Sequence, residues 1–155
     1  MRTSLFSILG SLEGMSFLDL FSGSGLVGIE AASRGSNHID LVEKDVGKKA
    51  VIQRNLTWVQ ESIHLHLADV QAFLKRANRR WDVIYADPPF PMGGKLEVLQ
   101  MIDERALLEP GGSLLLHYPG EESFPQTVGR LVQYDLREYG RSHVVFYTRP
   151  EAEPS

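Results

Sequence analysis

Phe17-Leu18-Asp19-Leu20-Phe21-Ser22-Gly23-Ser24-Gly25-Leu26-Val27-Gly28 is an apolar run that breaks into glycines and resumes as an apolar-periodic helix near Leu26. The order is strand, tight loop, helix. Gly23 and Gly25 permit backbone angles closed to other residues, and without a Cβ they let a ligand lie on the main chain. Gly28 falls one turn into the helix, where a missing side chain allows close helix–strand packing. A ligand is then expected at the carboxyl end of the first strand, where open α/β sheets bind them. Because a Gly-x-Gly-x-x-Gly spacing also occurs in plain βα turns, the surrounding residues decide its meaning.

Two carboxylates supply that context. Asp19 sits in the strand just before the glycines, and Glu43 ends the next apolar run, Ile39-Asp40-Leu41-Val42. That is the spacing at which a carboxylate accepts hydrogen bonds from ribose hydroxyls, so the pair points to an adenosine ligand. A dinucleotide would ask the helix amides to hold a pyrophosphate. An acid beside the glycines instead suits a ligand carrying positive charge, such as the amino group of S-adenosylmethionine, and Asp19 favours that methyl donor.

The totals set the frame. A chain of 155 residues fits one domain, read as 1–149 with a frayed polar tail at 150–155. With 43% hydrophobic and 23% charged residues it has the composition of a soluble globular protein, and no apolar run is long enough to cross a membrane. The absence of cysteine excludes disulfides and thiolate metal sites. No signal-peptide pattern opens the chain, and the expectation is a cytoplasmic protein without metal or membrane contact, acting as a monomer. A net charge of -4 argues against general nucleic-acid binding, so any RNA contact has to use a local patch.

Taken in order, residues 4–12 read as a short amphipathic helix, 16–21 as the first strand, 26–33 as a helix stopped by Gly35, and 38–43 as the second strand. A helix is expected over 45–59, with Val51, Ile52, Leu56 and Val59 on one face. The third strand, 63–68, places His64 and His66 on one face, read as solvent-facing rather than as metal ligands because no third ligand accompanies them. Asp69 is placed to cap a helix over 70–77. Strand four spans 81–86, a helix follows at 95–102, a turn at 107–112, and strand five at 113–117. A short helix is expected over 121–132 despite Pro125 and Gly129, then two strands, 134–139 and 143–148, joined too tightly for anything but an antiparallel hairpin. The cations Lys75, Arg76, Arg79 and Arg80 gather at a helix end, as a dipole complement or as an RNA-facing patch.

Asp87-Pro88-Pro89-Phe90 follows strand four. Consecutive prolines hold an extended turn and remove two backbone donors, leaving an acceptor-rich rim. An exocyclic amino group on a base is a poor nucleophile because its lone pair is delocalised. Acceptors at Asp87 and the Pro88 carbonyl can hold its hydrogens and turn the lone pair outward. Phe90 would stack on the base, a contact of about 1–3 kcal/mol, and the base must be unpaired or flipped.

The stretch 17–35 resembles the first motif of Rossmann-like S-adenosylmethionine-dependent methyltransferases, and Asp87-Pro88-Pro89-Phe90 resembles the motif of those that methylate exocyclic amino groups. With Arg2-Thr3-Ser4-Leu5-Phe6-Ser7-Ile8-Leu9, Gly28-Ile29-Glu30-Ala31 and Ser33-Arg34-Gly35, most of the chain is similar to the bacterial family that methylates a guanine of 16S ribosomal RNA on its 2-amino group. The resemblance implies an α/β class I methyltransferase fold: a seven-stranded, mostly parallel sheet with helices on both faces and a C-terminal antiparallel hairpin. It implies a cofactor site from Asp19, Phe21, Ser22, Gly23, Ser24, Gly25, Glu43, Lys44, Asp69 and Val70, with Asp69 on the adenine amino group and Val70 near the ring. Asp87, Pro88, Pro89 and Phe90 become the catalytic set. The implied partner is ribosomal RNA or a small-subunit assembly intermediate. Rival readings are a DNA adenine 6-amino methyltransferase, disfavoured because no target-recognition domain is evident, a nicotinamide-dependent oxidoreductase, disfavoured by Asp19 and the hairpin, and an inactive binding module. Members of the resembled family carry a stretch beginning Arg-Pro-Thr ahead of the segment matching Arg2 to Leu9. Its absence from this chain leads to the expectation of a more open pocket, weak cofactor affinity and low activity.

Overall fold

Residues 2–57, 62–89 and 93–151 are described by the computed structural model of the protein. α1 (Arg2–Leu9) leads into β1 (Ser16–Leu20), α2 (Leu26–Ser33) and β2 (His38–Glu43). A 3-10 turn (Val46–Lys48), α3 (Lys49–Leu56) and β3 (Ser62–Leu67) follow, then α4 (Val70–Arg76), β4 (Trp81–Ala86), α5 (Lys95–Glu104) and β5 (Leu108–Pro119). The chain closes with β6 (Thr127–Val128), β7 (Leu131–Tyr139) and β8 (Ser142–Thr148).

The strand order is β3-β2-β1-β4-β5-β8-β7-β6. The first five strands pair in parallel, and β8 enters antiparallel between β5 and β7. Alternation along each inner strand explains the layers. Phe17, Ile39, Leu41, Val83 and Tyr85 face the side covered by α1, α2 and α3, while Leu18, Leu20, Val42, Ile84 and Ala86 face α4 and α5. Strands buried on both faces need near-continuous apolar runs, which is what the sequence shows here. Gly28 proves to be the close-packing position: a Cβ there would stand 2.5 Å from Leu41 Cδ2. Connections leave β1 toward β2 on one side and arrive at β4 on the other, so the crevice where the order reverses lies at the carboxyl ends of β1 and β4.

The fold class read from the sequence holds, with corrections. The sheet has eight strands rather than seven, and the extra one lies where a helix was expected over 121–132. Pro125 has no amide to give a helix, Gly129 adopts φ +59, and the Asp103 carboxylate takes the Arg130 N–H at 2.9 Å. The segment therefore turns back as β6 against β7. Strand five begins at Leu108, inside the expected turn. The helix expected over 45–59 is a 3-10 turn plus α3; its Val51 is exposed and Ile52 makes the core contact, while Val59 lies outside the described residues.

His66 is the other correction. Rather than simply facing solvent, its Nε2 is 2.8 Å from Asp40 Oδ1, while Asp40 Oδ2 accepts from Trp81 Nε1 at 2.9 Å and lies 2.9 Å from His38 Nε2. Burial alone would raise the Asp40 carboxyl, but these partners hold it below its ordinary value. A carboxyl held low stabilises the fold above the unfolded value and stops doing so as pH falls through the folded one. Asp40→Ala should therefore lower stability in urea unfolding at pH 7 by about 1–3 kcal/mol, the cost of leaving the buried Trp81 N–H without an acceptor. The difference from the unsubstituted chain should shrink below about pH 3.8; a difference independent of pH would contradict the assignment.

Candidate active site

β1 ends at Leu20, and the chain turns at once: Phe21 takes φ +62, a left-handed angle uncommon for a residue with a side chain. Such strain gathers where a loop has been shaped for a ligand. The loop is tied across to β2. Ser22 N–H donates to the Val42 carbonyl at 2.9 Å, and Gly23 N–H donates to Glu43 Oε1 at 2.9 Å. The other Glu43 oxygen accepts from Asp45 N–H at 3.0 Å. One carboxylate thus sets both loops, and its remaining lone pairs can meet ribose hydroxyls. Gly25, at φ +82, caps α2 by its backbone angle. A Cβ there would face Ile52 and Leu41, so Gly25 supports the loop from below, whereas Gly23 has open space above it.

A cavity of about 420 Å³ lies over this crevice, lined by Phe21, Gly23, Glu43, Lys44, Asp69 and Val70, with Asp87 and Pro89 on the far side. Asp69 caps α4 by accepting from Ala72 N–H at 3.1 Å while also facing the cavity, so the two readings of this residue are compatible. Ser22, Ser24 and Gly25 shape the loop and are not on the wall. Phe90 lies outside the described residues.

Asp19 sits 1% exposed beneath the loop, and its Oδ2 has no hydrogen-bond partner among the described residues. Burial, and then the charges of Asp87 and Glu43, push its carboxyl well above the ordinary value. The cavity wall carries Glu43, Asp45, Asp69 and Asp87 against Lys44 and Lys48. An orphaned buried carboxylate under a mostly acidic wall fits a ligand that brings a positive charge and an adenosine.

Sequence reasoning missed two features. Lys48 and Asp45 reach the wall because the 3-10 turn folds them back under β2. His117, at the carboxyl end of β5, places Nδ1 3.2 Å from Asp87 Oδ1. Its side chain is 13% exposed and that of Asp87 47%. The available signal was position alone: a histidine ending the strand beside β4.

The sequence matches the family described as "Conserved hypothetical protein 95" over residues 1–148. It is 32% identical to the Bacillus subtilis protein named "Putative rRNA methyltransferase YlbH", covering 96% of this chain and 84% of that protein. Against the Escherichia coli "Ribosomal RNA small subunit methyltransferase D" it is 25% identical over 80% of this chain and 64% of that protein. Among solved structures, a conserved hypothetical protein of Streptococcus pyogenes superposes with a TM-score of 0.89 at 27% identity, covering 95% of this chain and 94% of the other.

A carboxyl raised in the folded state keeps its proton more tightly there than in the unfolded chain. Its contribution is therefore full below pH 3.8 and lost as pH rises through the folded value. Asp19→Asn should remove that loss, giving a higher urea midpoint than the unsubstituted chain at pH 7 and a flatter profile above pH 3.8. Equal midpoints at every pH would show that Asp19 carries no burden.

Proposed function

The chain belongs to the conserved hypothetical protein 95 family, and on that premise we propose that it is an S-adenosylmethionine-dependent methyltransferase of ribosomal RNA, acting on the exocyclic 2-amino group of a guanine in 16S rRNA. The observation that carries this reading is the convergence, in one cavity, of the strained glycine loop, Glu43, Asp69 and the Asp87-Pro88-Pro89 turn, above the orphaned Asp19 carboxylate. The names borne by its relatives and the resemblance of the motifs support the rRNA substrate.

Asp19, Phe21, Gly23, Glu43, Lys44, Asp69 and Val70 would hold the methyl donor, Glu43 taking the ribose and Asp69 the adenine amino group. When bound, that cofactor supplies an already activated methyl on a sulfonium. The chain's own residues then position and deprotonate. Pro88 and Pro89 offer carbonyls without competing amides, and the exposed Asp87 accepts an amino hydrogen. Nitrogen gains a bond on methylation and must release a proton, for which the Asp87 carboxylate is the acceptor. His117 holds that carboxylate from behind, and Phe90 stacks on the flipped base. This reading takes residues 1–149 as one catalytic domain in a cytoplasmic, monomeric enzyme whose partner is rRNA or a small-subunit assembly intermediate.

Asp87→Ala should lower methyl transfer to 16S rRNA by a factor of about 10² or more, the scale of removing a positioned polar group from a reacting centre. Cofactor affinity by calorimetry should be largely retained, while Asp19→Asn should weaken it. Unimpaired transfer by the Asp87 variant, measured as mass added to a guanine, would refute the role given to this residue.

A further inference from the structure

A second cavity, of about 450 Å³, opens on the same face of the sheet. α4 joins the two: Val70 at its start lines the first, and Phe73, Arg76 and Ala77 line the second, about 9 Å further along at the rise of an α-helix. The hollow exists because α4 is only seven residues long. It leaves uncovered the polar positions of β2 and β3, His38, His64 and His66, around the buried Asp40.

The charges there are unbalanced. Asp40 has both oxygens engaged by His38, His66 and Trp81. Arg79 lies over the Trp81 ring at 5.8 Å, with Nη1 2.7 Å from His38 Nε2. That nitrogen is also the one 2.9 Å from Asp40, and a single ring nitrogen cannot donate to Asp40 and accept from Arg79 together. Among the described residues, neither Arg76 nor Arg79 pairs with a carboxylate. Two guanidiniums therefore face a cavity whose only carboxylate is already surrounded, in a chain of net charge -4. Such forks match phosphate oxygens. The walls also offer flat rings: His38 and His64 stand 5.0 Å apart, and His66 lies 4.9 Å from Phe73. Phosphate donors beside ring surfaces are what a single-stranded nucleotide uses. No cluster of three metal-ligating side chains is present among the described residues to suggest another ligand.

We infer that this cavity holds a second nucleotide of the substrate strand, away from the reacting base, with its phosphate on Arg76 and Arg79 and its base against the His38 and His64 rings. The inference rests on the reading of the chain as an RNA methyltransferase. The spacing along α4 is that of about three stacked nucleotides at 3.4 Å each. Holding the strand there fixes its register while the target base enters the first cavity.

The test compares the full chain with Arg76→Ala/Arg79→Ala, both exposed positions, using a fluorescein-labelled oligouridylate in anisotropy titrations across salt. The double variant should bind about tenfold or more weakly. Its salt slope should fall by about 1.4, at about 0.7 per phosphate lost from a single strand. Thermal midpoint and S-adenosylmethionine affinity should be unchanged, and KM for rRNA should rise with kcat retained. Unchanged affinity and slope would overturn the inference, as would an equal loss in the charge-matched Arg137→Ala/Arg141→Ala control. Uridine 5′-monophosphate binding as tightly as the oligomer would assign the cavity to a free nucleotide and overturn it too. If the unsubstituted chain transfers no methyl group to rRNA, the functional reading fails, and the oligouridylate comparison still decides the cavity.

Discussion

The parallel pairing of β1 with β2 on one side and β4 on the other is the constraint on which the rest depends. A strand so placed has no edge and no solvent face, so its side chains must alternate between two apolar layers and its carboxyl end must carry whatever polar chemistry the site requires. The pairing sets the Gly23 loop beside Glu43 of β2 and opposite the Asp87 turn of β4. Those three segments are separated along the chain by about two dozen residues or more, and only the sheet gathers them. Gly28 belongs to the same constraint, since α2 can lie this close to Leu41 only without a side chain.

Two carboxylates interrupt the apolar strands, and their surroundings give them opposite characters. Asp40 is encircled by His38, His66 and Trp81, which hold it ionised. Asp19 has burial and two like charges for company and one oxygen without a partner. Low dielectric magnifies both outcomes: a buried polar group that is met rigidifies the fold, and one that is not becomes a demand for a ligand. The first organises the cavity at the far end of α4, the second the cavity at its near end. A helix of seven residues thereby separates two polar sites on one sheet face.

The local signals were the readable ones. The glycine spacing, the cap at Asp69 and the paired prolines each express a backbone requirement within a few residues, and each sits at a strand end as expected. The helix expected over 121–132 failed because its apolar spacing competed with Pro125, Gly129 and an Asp103 carboxylate arriving from α5. Asp103 is 27 positions from Arg130, and no local window contains it. Gly25 shows the same limit in the other direction. Its need for glycine was legible, but the target of its absent Cβ, Ile52 rather than a ligand, belongs to helix packing.

By itself the sequence determined the alternation of strands and helices, the reversal into a final antiparallel pair, and the chemistry available at each strand end, because periodicity and turn geometry act over a few residues. Tertiary structure alone decided which of those ends face one another. It put His117 beside Asp87, left Asp19 without a partner, and drew His38, His66 and Trp81 onto Asp40. The physical reason is that a hydrogen bond or a desolvation cost depends on distance in space, and the sheet order that sets those distances is a property of the whole chain.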